Sequence, residues 1–495
     1  MKTVIFNAKS QSREERKGFS FLIFLLLSIS ALNIFAQETP PAPGAPRSVR
    51  VPAVQEKKLA NGLTVAVVQK TATPIVTIQL LVKCGASCED DSKAGLADIT
   101  ASMLTKGTKT RSATQIAEAI EFLGGSISSG AGWNSSFVSV TVTSDKVGQA
   151  MAILADVVLN PIFDQKELDL LKSQTLDGLT YNLKQPSFLA NYVASKYSFG
   201  EHPAGGTPQS IQSIASTDIW SFHKKHYLAD RSILIFTGAI SPSKADILGS
   251  RFFGNMEMSS NFSRSNKDCT PNHPQRLVAR LLVVDVPQTG QASVNYYNKF
   301  RCTGRESSSY YPTTVMNTVL GGGYSARLNY EIRIKRGLSY GAGSSVSWRR
   351  DAGNFSTRAQ TKNESAAQVA ELTLEELKKL ASDLVLNNEM VPRKSVLTGN
   401  FGRNLETTGG LAAALGDLYS FGIPSAELSS YVSKVNSVTE SQLRDIAKSD
   451  LPGGDIIIVG DYSIFKDDLA KRFPGMKVDV IKADELDLSR DDLRK

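Results

Sequence analysis

Between residues 57 and 82 apolar and polar positions alternate in two runs, LTVAVVQ and IVTIQLLV, the first entered through an Asn-Gly pair in KKLANGL. A period of two behind a turn dipeptide predicts two strands. The pattern then lengthens to a helical one in GLADITASML, and a second helix has a legible start. Ser112 stands three residues before Gln115, the spacing of a capping box, and Ile116, Ile120 and Leu123 share one helical face before Gly124 and Gly125 stop it. FVSVTVT returns to alternation, with Val138, Val140 and Val142 on one side, and DKVGQAMAILADVVLNPIF is helical again. This interleaving predicts an α+β protein.

The second half repeats the first loosely. EFLGGSISSGAGWNSSFVSVTVTSDKVGQAMAILADVV aligns with RIKRGLSYGAGSSVSWRRDAGNFSTRAQTKNESAAQVAELTLEEL as helix end, glycines, strands and helix, and each half closes on a strand with a glycine exit, SILIFTGAI and DIIIVGDYS. The repeat, of about 200 residues, predicts two homologous lobes, each a mainly antiparallel sheet packed with helices, arranged around a cleft. The expected divisions are 57–250 and 277–475 for the lobes, 251–276 for a polar linker, and 476–495 for a charged, solvated tail. Residues 37–56 read as a Pro-rich lead-in, extended and mobile.

Ahead of them, Lys2, Lys9, Arg13, Arg16 and Lys17 precede the apolar run FSFLIFLLLSISALNIFA. Basic region, apolar region and small residue in that order predict a signal peptide over 1–36, cleaved after Ala36, and hence export, most simply to a periplasm. An uncleaved anchor is the rival, since about 18 apolar residues just span a bilayer. Residues 1–36 also account for three units of the formal net charge of +8, and no dense basic cluster follows, which leaves nucleic-acid binding without support.

Export makes disulfides permissible among the four cysteines, Cys84, Cys88, Cys269 and Cys302, and the short turn CGASC makes Cys84–Cys88 the first candidate. Its alternative, a CxxxC metal pair, lacks further ligands nearby in the chain. His223 and His226, in SFHKKHYLAD, stand three apart on a predicted helix and are a second conceivable pair, otherwise an ordinary helix-to-strand passage. In the second half, VLGGGYSARLNYEIRIKRGLSYGAG has glycines but no GK[ST], so no phosphate loop. It predicts an amphipathic helix from Ser325 to Lys335 stopped by Gly337, with Tyr340 opening a strand. Arg333 and Tyr340, seven apart across the break, can both point into a cleft, or be a solvated helix residue and a core aromatic.

LANGLTV, the strand ending in G-x-x-x-E at Glu89, GLA-x5-ML-x-KGT and the helix end EFLGG together resemble the inverzincin peptidases, the pitrilysin and insulinase family that includes mitochondrial processing peptidase. The resemblance runs from about Lys57 to Tyr462, as far as FGIPSAELSSYVSKVNSVT and beyond. In that family the five residues after GLA are H-x-x-E-H; here they are DITAS. The two zinc-binding histidines therefore fall on Asp98 and Ser102, the base on Ala101, and the third ligand, a glutamate, on Gly178, or on Asp177 after a slip of one. The resemblance thus implies no zinc and no catalytic residue in this chain. It implies a substrate-holding role for Arg333 and Tyr340, the guanidinium gripping peptide carbonyls and the phenol stabilising an oxyanion opposite a zinc ion.

A broken zinc half beside an intact substrate half leads to the expectation of a non-catalytic subunit that pairs with a zinc-bearing homologue and shares a peptide chamber with it. A purely structural role, a peptide-binding protein acting alone, and an autonomous metallopeptidase with an unrecognised site are the competing readings.

Overall fold

The computed structural model describes residues 49–259, 280–383, 385, 387–490 and 492–495. The signal segment, most of the lead-in, Cys269, His273 and the linker from 260 onward lie outside the described residues. Within them the alternating segments become two six-stranded sheets. The first holds β1 (Gln55–Lys58), β2 (Thr64–Gln69), β3 (Ile75–Val82), β4 (Ser126–Ala131), β5 (Ser136–Thr143) and β6 (Ser232–Gly238), in the order β1-β2-β6-β3-β5-β4. The second holds β7 (Arg280–Asp285), β8 (Ala292–Arg301), β9 (Ser339–Trp348), β10 (Ala352–Thr361), β11 (Asp455–Gly460) and β12 (Val478–Lys482), in the order β12-β7-β11-β8-β10-β9.

From the second position onward the two sheets pair identically. β2 is parallel to β6 as β7 is to β11, and β6–β3–β5–β4 is antiparallel throughout as β11–β8–β10–β9 is. Only the outermost strand differs, β1 antiparallel to β2 and β12 parallel to β7. The two strands with glycine exits, β6 and β11, thus hold equivalent central places.

On one face of the first sheet lie α1 (Leu96–Met103), α2 (Ala113–Phe122) and α3 (Val147–Leu159), with Ile99, Met103, Ile120 and Leu154 packed against Val67, Ile78, Leu80 and Val140. Helix α2 begins at the capping box: the Gln115 N–H donates to Ser112 Oγ at 3.2 Å, and the Ser112 N–H to Gln115 Oε1 at 2.9 Å. The chain continues through α4 (Gln165–Asn182), α5 (Pro186–Tyr197) and α6 (Ser216–His226). One face of the second sheet is covered likewise by α7 (Tyr310–Leu320) and α8 (Ala366–Ser382), and α9 (Thr408–Phe421) follows.

The remaining two faces are covered crosswise. Leu411, Leu415 and Leu418 of α9 pack on Ala66, Leu81, Ile233 and Ile235 of the first sheet. Leu189, Ala190 and Val193 of α5 pack on Leu282, Tyr297, Ile457 and Val459 of the second. Central strands with two buried faces are apolar on consecutive residues, as SILIFTG and DIIIVG are, which requires a cover on each side.

Two expected peripheral segments are corrected. The tail from 476, read from its charges as solvated, supplies β12, whose Val478 and Val480 pack on the core of the second half while Ile481, on the other face, joins Leu488 and Leu493 in the core under α5. The lead-in is anchored over its described part: Val49, Val51 and Val54 pack against the α9 layer and β1 begins at Gln55.

Candidate functional site

Helix α1 is held at its start by Glu89. The Gly95 N–H donates to Oε1 at 2.8 Å and the Ala97 N–H to Oε2 at 2.7 Å, which satisfies helix-end donors with an acid placed where the helix dipole favours it. The side chain is 0 % exposed, and burial lifts its carboxyl to about 7, against the pull of the two N–H donors and with a further push from Asp98. Asp98, in the first turn of α1, reaches across to the edge strand β4, where the Ala131 N–H donates to Oδ1 at 3.2 Å. Burial raises its carboxyl above the usual range, and that bond opposes the rise. Ala101 is wholly buried, Ser102 half-buried, and Gly178 and Asp177 exposed on α4.

Asp98 and Gly178 line one cavity of about 440 Å³, together with Gln174, Asn182 and Tyr192. Ala101, Ser102 and Asp177 are not among its lining residues. Zinc does not fit the four family positions. Asp98 is the one charged donor and already accepts a backbone N–H, Ala101 and Gly178 carry no side-chain donor, and Ser102 offers a neutral hydroxyl, where zinc takes thiolate, imidazole or carboxylate ligands.

In the second half the segment expected to be one amphipathic helix is a short helix, Arg327–Asn329, running into a π-helical turn, Tyr330–Ile334. The wider turn alters the direction in which Arg333 leaves the helix, and π turns of this kind recur at functional sites. Gly337, at φ +64°, ends it: its N–H donates to Arg333 O at 2.9 Å and the Leu338 N–H to Ile332 O at 2.9 Å, a closure that needs a left-handed residue. Arg333 is half-buried, with its guanidinium 5.1 Å from the Tyr324 ring centroid. Tyr340, second residue of β9, is 91 % exposed and so is no core aromatic.

Asn329, buried, ties turn to strand. Its Nδ2 donates to Tyr324 O and its Oδ1 accepts from the Ala342 N–H at 3.1 Å. Arg327 grips Glu389 with two bonds of 2.8 Å, anchoring the same helix from behind. The glycines before it serve close approach: a Cβ on Gly321 would stand 2.2 Å from the Ser344 N of β9. No local sequence signal marks Asn329 for this role, since its partners lie five residues before it and thirteen after.

The two halves meet where the β4–β5 and β9–β10 hairpins face each other, around a cavity of about 510 Å³ lined by Trp133, Asn134, Trp348 and Arg349 among others. Beside it, Glu201 accepts two bonds from Arg349 at 3.0 and 2.8 Å, one from Lys299 at 2.9 Å and one from Asn354 at 2.8 Å. Burial pushes the Glu201 carboxyl up, and Arg349 and Lys299 more than offset it, holding the group below its ordinary value. This polar clamp joins the halves and was not foreseen from the sequence. Neither Arg333 nor Tyr340 lines this cavity or the one beside Asp98.

Cys84 and Cys88 form a disulfide with Cα atoms 5.8 Å apart, and Cys302 is disulfide-bonded as well. His223 and His226 do not act as a pair. His223 Nε2 bonds Val158 O at 2.8 Å and its ring stacks on Tyr227, while His226 turns toward the cysteines. His202 sits between the Trp133 ring and Glu89, its Nδ1 3.6 Å from Oε1.

With this geometry in hand, comparison with known proteins gives two family matches. Residues 64–195 match the family described as insulinase, peptidase family M16, and residues 213–390 match the one described as peptidase M16 inactive domain, together more than half of the chain. The chain is similar to an uncharacterized zinc protease of Rickettsia bellii, 28% identical over 66% of this chain and 78% of that one, and to another of Rickettsia felis, 27% identical over 77% and 91%. Among solved structures it resembles a peptidase M16 inactive domain from Pseudomonas fluorescens, with a TM-score of 0.75 and 24% identity over 82% of this chain and 98% of that one. A protease from Helicobacter pylori gives the same TM-score at 19% identity over 83% and 100%. These likenesses establish the fold.

Proposed function

The chain belongs to the M16 insulinase family of peptidases, and from that premise we propose that it is a non-catalytic subunit which completes the active site of a zinc-bearing homologue. In this reading it supplies Arg333 and Tyr340 and half of a peptide chamber, while the zinc ion and the general base reside in the partner. The observation that carries the reading is the contrast between Asp98, committed to the Ala131 N–H, and Tyr340, which presents 91 % of its surface to solvent. An exposed phenol at the start of an edge strand, seven residues past an arginine, suits the holding of a peptide: the guanidinium offers a donor fork and the phenol one directed O–H. The chain is exported and works in the periplasm, a location that the disulfides at Cys84, Cys88 and Cys302 favour.

Affinity purification from the native source tests this directly. Recovery of a family member carrying an intact H-x-x-E-H, and chelator-sensitive peptide cleavage by the pair alone, is the expected outcome. Cleavage of peptides by the purified chain by itself overturns it, and recovery of unrelated membrane-complex subunits alone transfers the protein to a structural role.

A further inference from the structure

Two features separate in the sequence meet in space. Cys84 follows β3 and is buried, its carbonyl accepting from Ser136 Oγ at 2.8 Å. Cys88 ends the next turn and is half-buried. His226, at the end of α6, is 5 % exposed. A ring nitrogen of His226 and the two Sγ atoms all lie within 4.8 Å of one another, a group of three metal-ligating side chains drawn from positions 138 or more residues apart for the histidine.

We propose that this is a redox-gated metal site: oxidised, it is the Cys84–Cys88 disulfide, and reduced, its two thiolates and the His226 imidazole hold a thiophilic divalent ion of the zinc class. Tetrahedral zinc with Zn–S near 2.3 Å and Zn–N near 2.0 Å separates its ligand atoms by about 3.5–3.8 Å, so once the S–S bond of about 2.05 Å is cut the sulfurs part by roughly 1.7 Å and the imidazole closes by up to about an ångström. Two sulfurs and one nitrogen form a recognised zinc ligand set, with the fourth position left to water.

The loop is held in place without its disulfide. The Ala86 N–H donates to Gly132 O at 3.0 Å and the Ser87 N–H to Trp133 O at 2.9 Å, fastening CGASC to the β4–β5 hairpin, and a Cβ on Gly85 would stand 2.2 Å from Gly132 O. Cutting the S–S bond therefore leaves both cysteines near His226. Arg231 Nη1 lies 3.5 Å from His226 Nδ1, a hydrogen bond at the long limit that engages one of the two ring nitrogens. Two thiolates and a divalent ion sum to zero charge, which neighbouring Arg231 and Lys225 do not oppose.

The gating step balances with a dithiol reductant. One of its thiolates attacks Sγ of half-exposed Cys88, the bond to Cys84 breaks, and the second thiol resolves the mixed disulfide. The dithiol leaves as a disulfide, two electrons and two protons having passed to the cysteines. Metal binding then releases both thiol protons to solvent.

The test is titration of the purified protein with Co(II) before and after reduction by a phosphine. The reduced protein is expected to take up one equivalent, with sulfur-to-cobalt charge-transfer absorption and tetrahedral visible bands that Zn(II) abolishes, and the oxidised protein none. Cys88→Ser, at a half-exposed position, and His226→Gln, checked for folding by circular dichroism, are expected to bind at least about tenfold more weakly, the usual scale for damage to a metal site. Cys88→Ser keeps Cys302, whose thiol also appears on reduction, and so distinguishes the two places. No uptake on reduction, equal uptake by the oxidised protein, or an unchanged titration of Cys88→Ser each overturns the proposal. If His226→Gln does not fold, Cys88→Ser decides alone.

Discussion

Helix α1 in the first half and the π turn Tyr330–Ile334 in the second stand beside equivalent edge strands, β4 and β9, yet dispose of their polar groups in opposite ways. At α1 the polar side chains are turned inward and consumed by backbone: Glu89 caps the helix and Asp98 bonds the β4 edge. At the turn the backbone is satisfied by Gly337 and Asn329, which leaves Tyr340 at the surface and Arg333 against Tyr324. A metal helix can therefore be kept as packing when its polar positions find partners inside the same half. A recognition segment persists when other residues take over the structural bonds.

The largest test of this contrast converts one region back. Asp98→His, Ser102→His and Gly178→Glu together are expected to create a zinc site of micromolar affinity or better, about 8 kcal/mol of binding at 1 μM, since Asp98 and Gly178 already line one cavity. Equilibrium dialysis of oxidised protein, with its disulfides intact, measures it, and with Ala101 still in the base position the variant is expected to bind without hydrolysing. Failure to bind would mean that the α1–α4 geometry has drifted from that of a metal site.

Next in size is loss at the other region. In the reconstituted pair, Tyr340→Phe is expected to lower kcat about 10²–10³-fold, the scale for one oxyanion donor, with the dimer intact by sedimentation. Arg333→Ala is expected to raise KM chiefly, since a group that grips peptide carbonyls acts in the ground state too. Unchanged rates for both would remove the proposed distinction between the halves.

Asn329→Ala removes the bond between the turn and β9 and leaves the buried Ala342 N–H without its acceptor, a cost of about 1–3 kcal/mol in denaturant unfolding. As a positioning residue it is also expected to reduce the activity of the pair, and Asn329→Asp, which keeps the acceptor, should recover part of that loss.

An effect of similar size concerns the cap of α1. The Glu89 carboxyl is raised by burial from its ordinary 4.5 to about 7 in the folded protein, so the stability it contributes is fully present below about pH 4.5 and is lost as pH rises to about 7. Urea unfolding of the native chain should show a loss on the order of 1–3 kcal/mol across that window, flattened in Glu89→Gln. An equal slope in the variant would show that the helix cap is ionised throughout.

Much of the scaffold was legible. The capping box at Ser112–Gln115, the alternation at Val138, Val140 and Val142, and the paired glycine exits of β6 and β11 are local patterns with a fixed period, and each formed the expected element in its expected half. The dismantled positions Asp98, Ala101, Ser102 and Gly178 were equally readable, because residue identity alone fixes which donors exist. Asn329 and Glu201 were not, since their partners are defined by a turn and by a hairpin seam.

What the sequence determined by itself is therefore the list of elements, their duplicated order, and the chemistry that is missing from α1. Tertiary structure alone decided that α5 covers the second sheet and α9 the first, that Leu488 and Leu493 of a charged tail are core, and that His226 meets Cys84 and Cys88. The reason is physical. Periodicity records which side of an element is apolar, whereas the identity of the surface that side meets depends on how long chain segments return through space, and no local pattern encodes that return.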